Sequence, residues 1–189
     1  MTGKVRSLLF LIPPLYLAAG FLNIHLALAG LVCMALPFLF LLKNRRKSWC
    51  QGLCPRMRFL QKFRRSRFVL PLPARLTGKG VRDGVVIYFG VNLFFILMST
   101  VMVILGRIGP IDRVRFLILF QINRELPQLM AGPAVPPWLL HFSFRIYSMM
   151  FTSMVIGTVL ALLFRPAAWC RVCPVGTLSD DLLKKIRQN

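Results

Sequence analysis

Four apolar runs parted by basic segments leave this chain few folds to choose from. The runs are 7–22, 25–42, 84–106 and 144–164. A helix rising about 1.5 Å per residue crosses a ~30 Å hydrocarbon core in about 20 residues. The last two runs meet that length. The first is short and carries Pro13 and Pro14, so it is marginal as a span. A second apolar run follows it at once, which reads as two helices rather than a cleaved signal peptide. The expected fold is therefore all-α: one polytopic membrane domain over 1–189 with about four transmembrane helices.

Composition agrees. Hydrophobic residues make up 57% of the chain and charged residues 16%, with a mean hydropathy of +0.67. A soluble domain carries about a quarter charged residues. The net charge of +20 is concentrated between the runs, where Lys and Arg set orientation and meet anionic lipid, so nucleic acid is not the expected partner. Thirteen Lys and Arg lie in the loop 43–83, two before the first run and five from Arg165 onward. Five more lie between Arg107 and Arg145. Positive residues stay inside, which places both termini and the loop 43–83 in the cytoplasm of an inner-membrane protein. The segment 107–143 falls outside. There Val114, Leu117, Ile118 and Ile122 have the spacing of an interfacial amphipathic helix, and "AGPAVPPW" breaks the chain before it re-enters.

An orientation signal does not explain the cysteines. "RRKSWCQGLCP" at 45–55 and "RPAAWCRVCP" at 165–174 share the pattern R-x3-W-C-x(2 or 3)-C-P. This internal repeat brings Cys50, Cys54, Cys170 and Cys173 to one side of the membrane. Four thiolates in two short pairs fit an iron–sulfur cluster, a structural zinc or two thiol–disulfide exchange pairs. Each Cys-Pro places proline at the first position of a new helix, where its missing N–H costs nothing. Helix N-termini and Arg45, Arg46, Arg56, Arg58 and Arg171 then suit an anionic [4Fe–4S] cluster. Disulfide formation belongs outside the cytoplasm, and structural zinc mostly serves domains with little core. A quinone-linked thiol oxidoreductase and a zinc-stapled scaffold therefore stand as alternatives to the cluster.

Other groups read more plainly. Cys33 is a small hydrophobe within a span, although "CMALP" has the form of C-x-x-C-P with Leu36 at the second cysteine. His25 and His141 fall near the outer face and read as interfacial hydrogen bonders. Trp49 and Trp169 serve as interfacial anchors or as shields of the cysteines. Asp112, Asp180 and Asp181 read as charges near helix N-termini. Leu178, Leu182 and Ile186 line one stripe of a C-terminal helix, 174–187, that closes the cysteine site. No carboxylate pair, Ser–His–Asp set or phosphate loop is present, which leaves hydrolysis and nucleotide chemistry without residues.

"WCQGLCPRM" and "WCRVCPVGTL" resemble the units of short membrane-bound 4Fe-4S binding proteins related to the polyferredoxin family. That family includes the ferredoxin-like quinol-oxidising subunits of periplasmic nitrate reductase and accessory proteins of nitrous-oxide reductase. Met57 stands where the family pattern has glycine, which bears on the helix start after Cys54, while Gly176 keeps the pattern. The resemblance implies an electron carrier rather than a stand-alone enzyme. Cys50, Cys54, Cys170 and Cys173 would hold one [4Fe–4S] cluster, serving transfer between quinone or a membrane partner and another redox protein.

Overall fold

A computed structural model of the chain describes residues 8–46, 49–62, 70–117, 120–121, 136–164 and 168–188. Helices dominate: α1 (Ile12–Leu22), α2 (Ala29–Asn44), α3 (Pro55–Lys62), α4 (Lys79–Ile104), α5 (Pro137–Leu163), α6 (Ala168–Val172) and α7 (Pro174–Gln188). The all-α expectation holds.

Three helices are long and apolar enough to cross a membrane: Ile24–Asn44 (a 3-10 turn, Ile24–Leu28, running into α2), α4 and α5. The leading run forms a shorter apolar helix, Leu9–Leu22. By length and composition these helices are compatible with a membrane protein. Between 22% and 39% of each apolar window is buried within the chain. The rest, including Ile87, Phe94, Phe95 and Val101 on α4, is exposed apolar surface of the kind hydrocarbon covers. Two helices start earlier than the apolar runs suggest. The start of α5 lies seven residues before Phe144 and takes in His141 and Arg145. His141 is 0% exposed, yet both ring nitrogens are used: Nδ1 accepts from Ile111 N at 3.1 Å and Nε2 meets Ser99 Oγ at 3.0 Å. A buried polar group so satisfied does not break a helix. The extra turn of α4 contains Arg82 and Asp83, and Arg82 is ion-paired.

The chain divides into two compact units. The first comprises Met1–Pro13, Cys33–Phe89 and Val155–Asn189. Its core is Leu60, Ala161, Trp169 and Val172, flanked by Phe59, Ile156, Leu160 and Cys173. Lys62 Nζ lies 4.1 Å over the Phe10 ring. Past the end of α2, Arg45 takes a left-handed backbone (φ 46°), and its N–H donates to Leu41 O at 2.8 Å. This is the turn that usually recruits glycine after a helix.

The second unit comprises Pro14–Val32 and Gly90–Met154. Ile24, Ala27, Val114, Phe144 and Tyr147 form its core. Two tyrosines fasten it: Tyr16 Oη donates to Ala27 O at 2.9 Å and Tyr147 Oη to Leu17 O at 3.0 Å. Their rings stack with centroids 6.2 Å apart. A Cβ on Gly20 would fall inside the Tyr147 ring.

The expected interfacial helix does not form where the structure describes it. Arg115–Phe116 and Phe120–Gln121 pair as a two-stranded antiparallel hairpin, β1 and β2, with Leu117 at φ 52°. The backbone finds other partners: Arg115 N donates to Ser148 Oγ at 3.0 Å and Leu117 N to Thr152 Oγ1 at 3.3 Å. Hydroxyls of α5 thus compete successfully with an i→i−4 ladder. Ile118, Ile122 and most of "AGPAVPPW" lie outside the described residues.

Candidate metal centre

Both Cys-Pro pairs open helices. The start of α3 is Pro55 and that of α7 is Pro174, both buried. Each preceding cysteine caps its helix through its carbonyl. Cys54 O accepts from Arg58 N at 3.3 Å, and Cys173 O accepts from Thr177 N at 3.0 Å and Thr177 Oγ1 at 3.2 Å. Met57 therefore does not shift the start of α3. The longer first spacing is taken up by a π-type turn, Trp49–Leu53, closed by Cys54 N donating to Trp49 O at 2.9 Å. The Cys54 sulfur faces the backbone N–H groups of Met57 and Arg56, as a helix N-terminus presents them. Pro37 behaves differently, since it lies inside α2. "CMALP" is thus not a third unit.

All four cysteines belong to the first unit. Cys50 and Cys170 line one cavity of about 580 Å³ together with Met57, Arg82, Thr177 and Asp180. Cys170 Sγ stands 3.2 Å from Met57 Sδ. Cys54 is half-buried, and Cys173 packs beside Trp169 and Val172. No disulfide joins the five cysteines. Among the described residues, no three Cys, His, Asp or Glu side chains are drawn into a closed ligand set. The structure gathers the thiols without tightening them into a tetrahedron.

Arg56 sets the electrostatics. Its guanidinium stacks 4.4 Å from the centre of the Trp169 ring, and its Nε and Nη2 are buried without a hydrogen-bond partner. Trp169, 7% exposed, also has its Nε1 buried and unpartnered. It shields the site rather than anchoring at an interface. Burial pushes the Arg56 pKa down, and Cys173, Cys54, Cys170 and Cys33 oppose that shift when ionised. Burial in turn holds Cys54 above the usual thiol range, against the help of its backbone donors. Cys170, an exposed residue whose sulfur is turned toward the cavity wall, is pushed up to about 12, by partial desolvation first and then by the charges of Cys173 and Cys54. Thiols held this high ionise when a cation takes the proton's place. A buried cation with orphaned donors and a set of cysteines meets the demand of an anionic cluster. It offers charge balance and hydrogen bonds to sulfur. The residues present fit the group.

Sequence reasoning treated Arg56 as one of five similar arginines. The structure separates them: Arg45 makes a turn, Arg58 reaches Gly52 O at 3.4 Å, Arg171 lines the cavity and Arg56 alone stacks on Trp169. Gly157 on α5 escaped notice. A Cβ there would come within 3.1 Å of Arg56 Nη2, so the glycine makes room for the guanidinium. Cys33 falls within the charge neighbourhood of Arg56. On α7, Thr177 and Ser179 are buried while Leu178 is 36% exposed, and the helix meets the cysteine cavity through Gly176, Thr177 and Asp180. Asp180 bridges to Arg82 at 3.2 Å and Asp181 to Lys184 at 3.7 Å, neither in the first turn of α7.

A family model described as a 4Fe-4S binding domain matches residues 26–73 and 148–189. Both cysteine units lie inside the matched segments, and the cofactor is a [4Fe–4S] cluster. No curated protein and no solved structure matches the chain.

Proposed function

We propose that this iron–sulfur protein is a membrane-bound electron carrier, and that Cys50, Cys54, Cys170 and Cys173 hold its one [4Fe–4S] cluster. The observation that carries the assignment is the guanidinium of Arg56, its Nε and Nη2 buried without a hydrogen-bond partner, amid cysteines of both Cys-Pro motifs. When bound, the cluster supplies a one-electron couple. The chain's own residues bind and tune it. The Arg56 and Met57 N–H groups donate toward the Cys54 sulfur. Arg56 favours the more negative, reduced state, Trp169 excludes water, and the Arg82–Asp180 pair fixes α7 to the start of α4.

The charge distribution supports an inner-membrane location with both termini and the cysteines on the cytoplasmic side. The resemblance to short polyferredoxin-type proteins supports exchange of electrons between quinone, or a membrane partner, and another redox protein. Thiol exchange needs a depressed thiol pKa, and Cys54 and Cys170 go the other way. Anaerobic purification followed by iron, sulfide and EPR measurement tests the reading. About four irons and four sulfides per chain, lost on Cys→Ser at any of the four positions, are expected. One zinc and no sulfide would overturn it.

A further inference from the structure

The second unit contains a charge arrangement that electron transfer does not use. Arg115, on β1, and Arg145, on α5, line one small cavity with Asn92, Ser148 and Thr152. The Nε of both guanidiniums is buried without a hydrogen-bond partner. Arg145 belongs to a helix long and apolar enough to span a membrane. A charge at such a place is costly unless it is compensated. Among the described residues, the ion pairs of Asp180 and Asp181 lie in the other unit, and Asp112 is exposed. Glu125 lies outside the described residues.

Ile96 and Met149 complete the lining with apolar surface, and none of the polar lining groups carries a negative charge. Ser148 Oγ accepts from Arg115 N and donates to Phe144 O at 2.7 Å. Thr152 Oγ1 accepts from Leu117 N, which leaves its hydroxyl proton to give. The Asn92 amide adds two N–H donors and one neutral carbonyl acceptor, which cannot balance two positive charges. The volume is about 20 Å³. One water needs about 10–15 Å³ by this measure, so a phosphate or carboxylate headgroup does not fit. A single water would leave both positive charges uncompensated.

We infer that the cavity between Arg115 and Arg145 binds one small monovalent anion of chloride size. The anion accepts from the two Nε–H groups and from Thr152 and Asn92. It neutralises part of the charge and fastens the β1–β2 hairpin to α5.

The test uses the full-length, cluster-loaded protein in detergent, melted in sodium chloride and in sodium gluconate at equal ionic strength. A ligand held by the folded state alone raises Tm in proportion to its concentration over Kd, and gluconate is too large to enter. Chloride should raise Tm by several degrees, saturably. The gain should vanish in Arg145→Gln and Arg115→Gln, and persist in Arg107→Gln, whose side chain is exposed. If either arginine variant fails to fold, Asn92→Leu fills the cavity without removing charge and should also abolish the gain. Equal melting of the unaltered protein in both salts overturns the proposal, as does a gain that survives Asn92→Leu. A chloride gain that appears only in Glu125→Gln overturns it too, by making that carboxylate the counter-ion. Iron content is followed throughout and should not change, which keeps this outcome separate from that of the cluster assignment.

Discussion

Arg56 cannot be replaced by just any positive residue, because it meets two requirements at once. Its charge serves the cysteines and its plane serves Trp169. Arg56→Gln removes the charge and should lower the cluster midpoint potential. The shift is on the order of 100 mV, the work of one charge several ångströms away at an effective dielectric of about 20. Potentiometric EPR titration measures it, and an unchanged midpoint would remove Arg56 from the site. Arg56→Lys keeps the charge but not the stacked plane, so it should restore part of the potential and lose thermal stability. Gly157→Val pushes on the same guanidinium from α5 and should shift the midpoint as well. The apo-protein gives a pH prediction. A thiol whose pKa lies near 12 stays protonated well above the pH at which a free cysteine ionises. Iodoacetamide alkylation of Cys170 should therefore be slow at pH 8 and still rising at pH 10, without the plateau of an ordinary thiol. Peptide mass spectrometry reads the rate. At this scale the four cysteines were legible because their spacing repeats. Arg56 was not, since sequence does not say which of several arginines turns inward, and Gly157 had no motif to mark it.

Elements were legible where one periodicity met no competitor. The two Cys-Pro helix starts follow from proline chemistry alone, and α3 and α7 begin there. The segment around Val114 was misread because helical spacing of apolar residues says nothing of the hydroxyls on α5 that take its N–H groups. On α7 the apolar stripe told nothing of the polar residues that are buried beside it. Thr177 and Ser179 satisfy their hydroxyls on the carbonyls of Cys173 and Val175, at 3.2 and 2.7 Å, and so tolerate burial. Two substitutions test the element ends. Arg45→Gly relieves the left-handed backbone after α2 and should stabilise the protein by about 1 kcal/mol. Gly20→Val drives a side chain into the Tyr147 ring and should cost about 1–3 kcal/mol as overpacking. Thermal melting in detergent measures both, and a neutral Gly20→Val would mean that α1 packs otherwise.

For the whole chain, the apolar runs gave the fold class and the basic loops gave an orientation to be tested. With the cysteines on the cytoplasmic side, a membrane-impermeant maleimide should leave Cys50 unlabelled in intact cells and label it once the cells are permeabilised and the cluster is stripped with an iron chelator. Labelling of intact cells would reverse the orientation and revive the thiol-exchange alternative. The anion cavity was beyond sequence reasoning, since Arg115 and Arg145 are 30 positions apart with only one acid, Glu125, between them.

Met57 and Cys170 touch across 113 positions of chain. Loading of the centre is therefore tied to biogenesis. A nascent chain that has emerged only as far as α5 offers Cys50 and Cys54, half of the ligand set proposed here. Cys170 and Cys173 follow only after α5, beyond the three long apolar helices of the described residues. With the four ligands proposed above, cluster assembly would wait until α6 has been made.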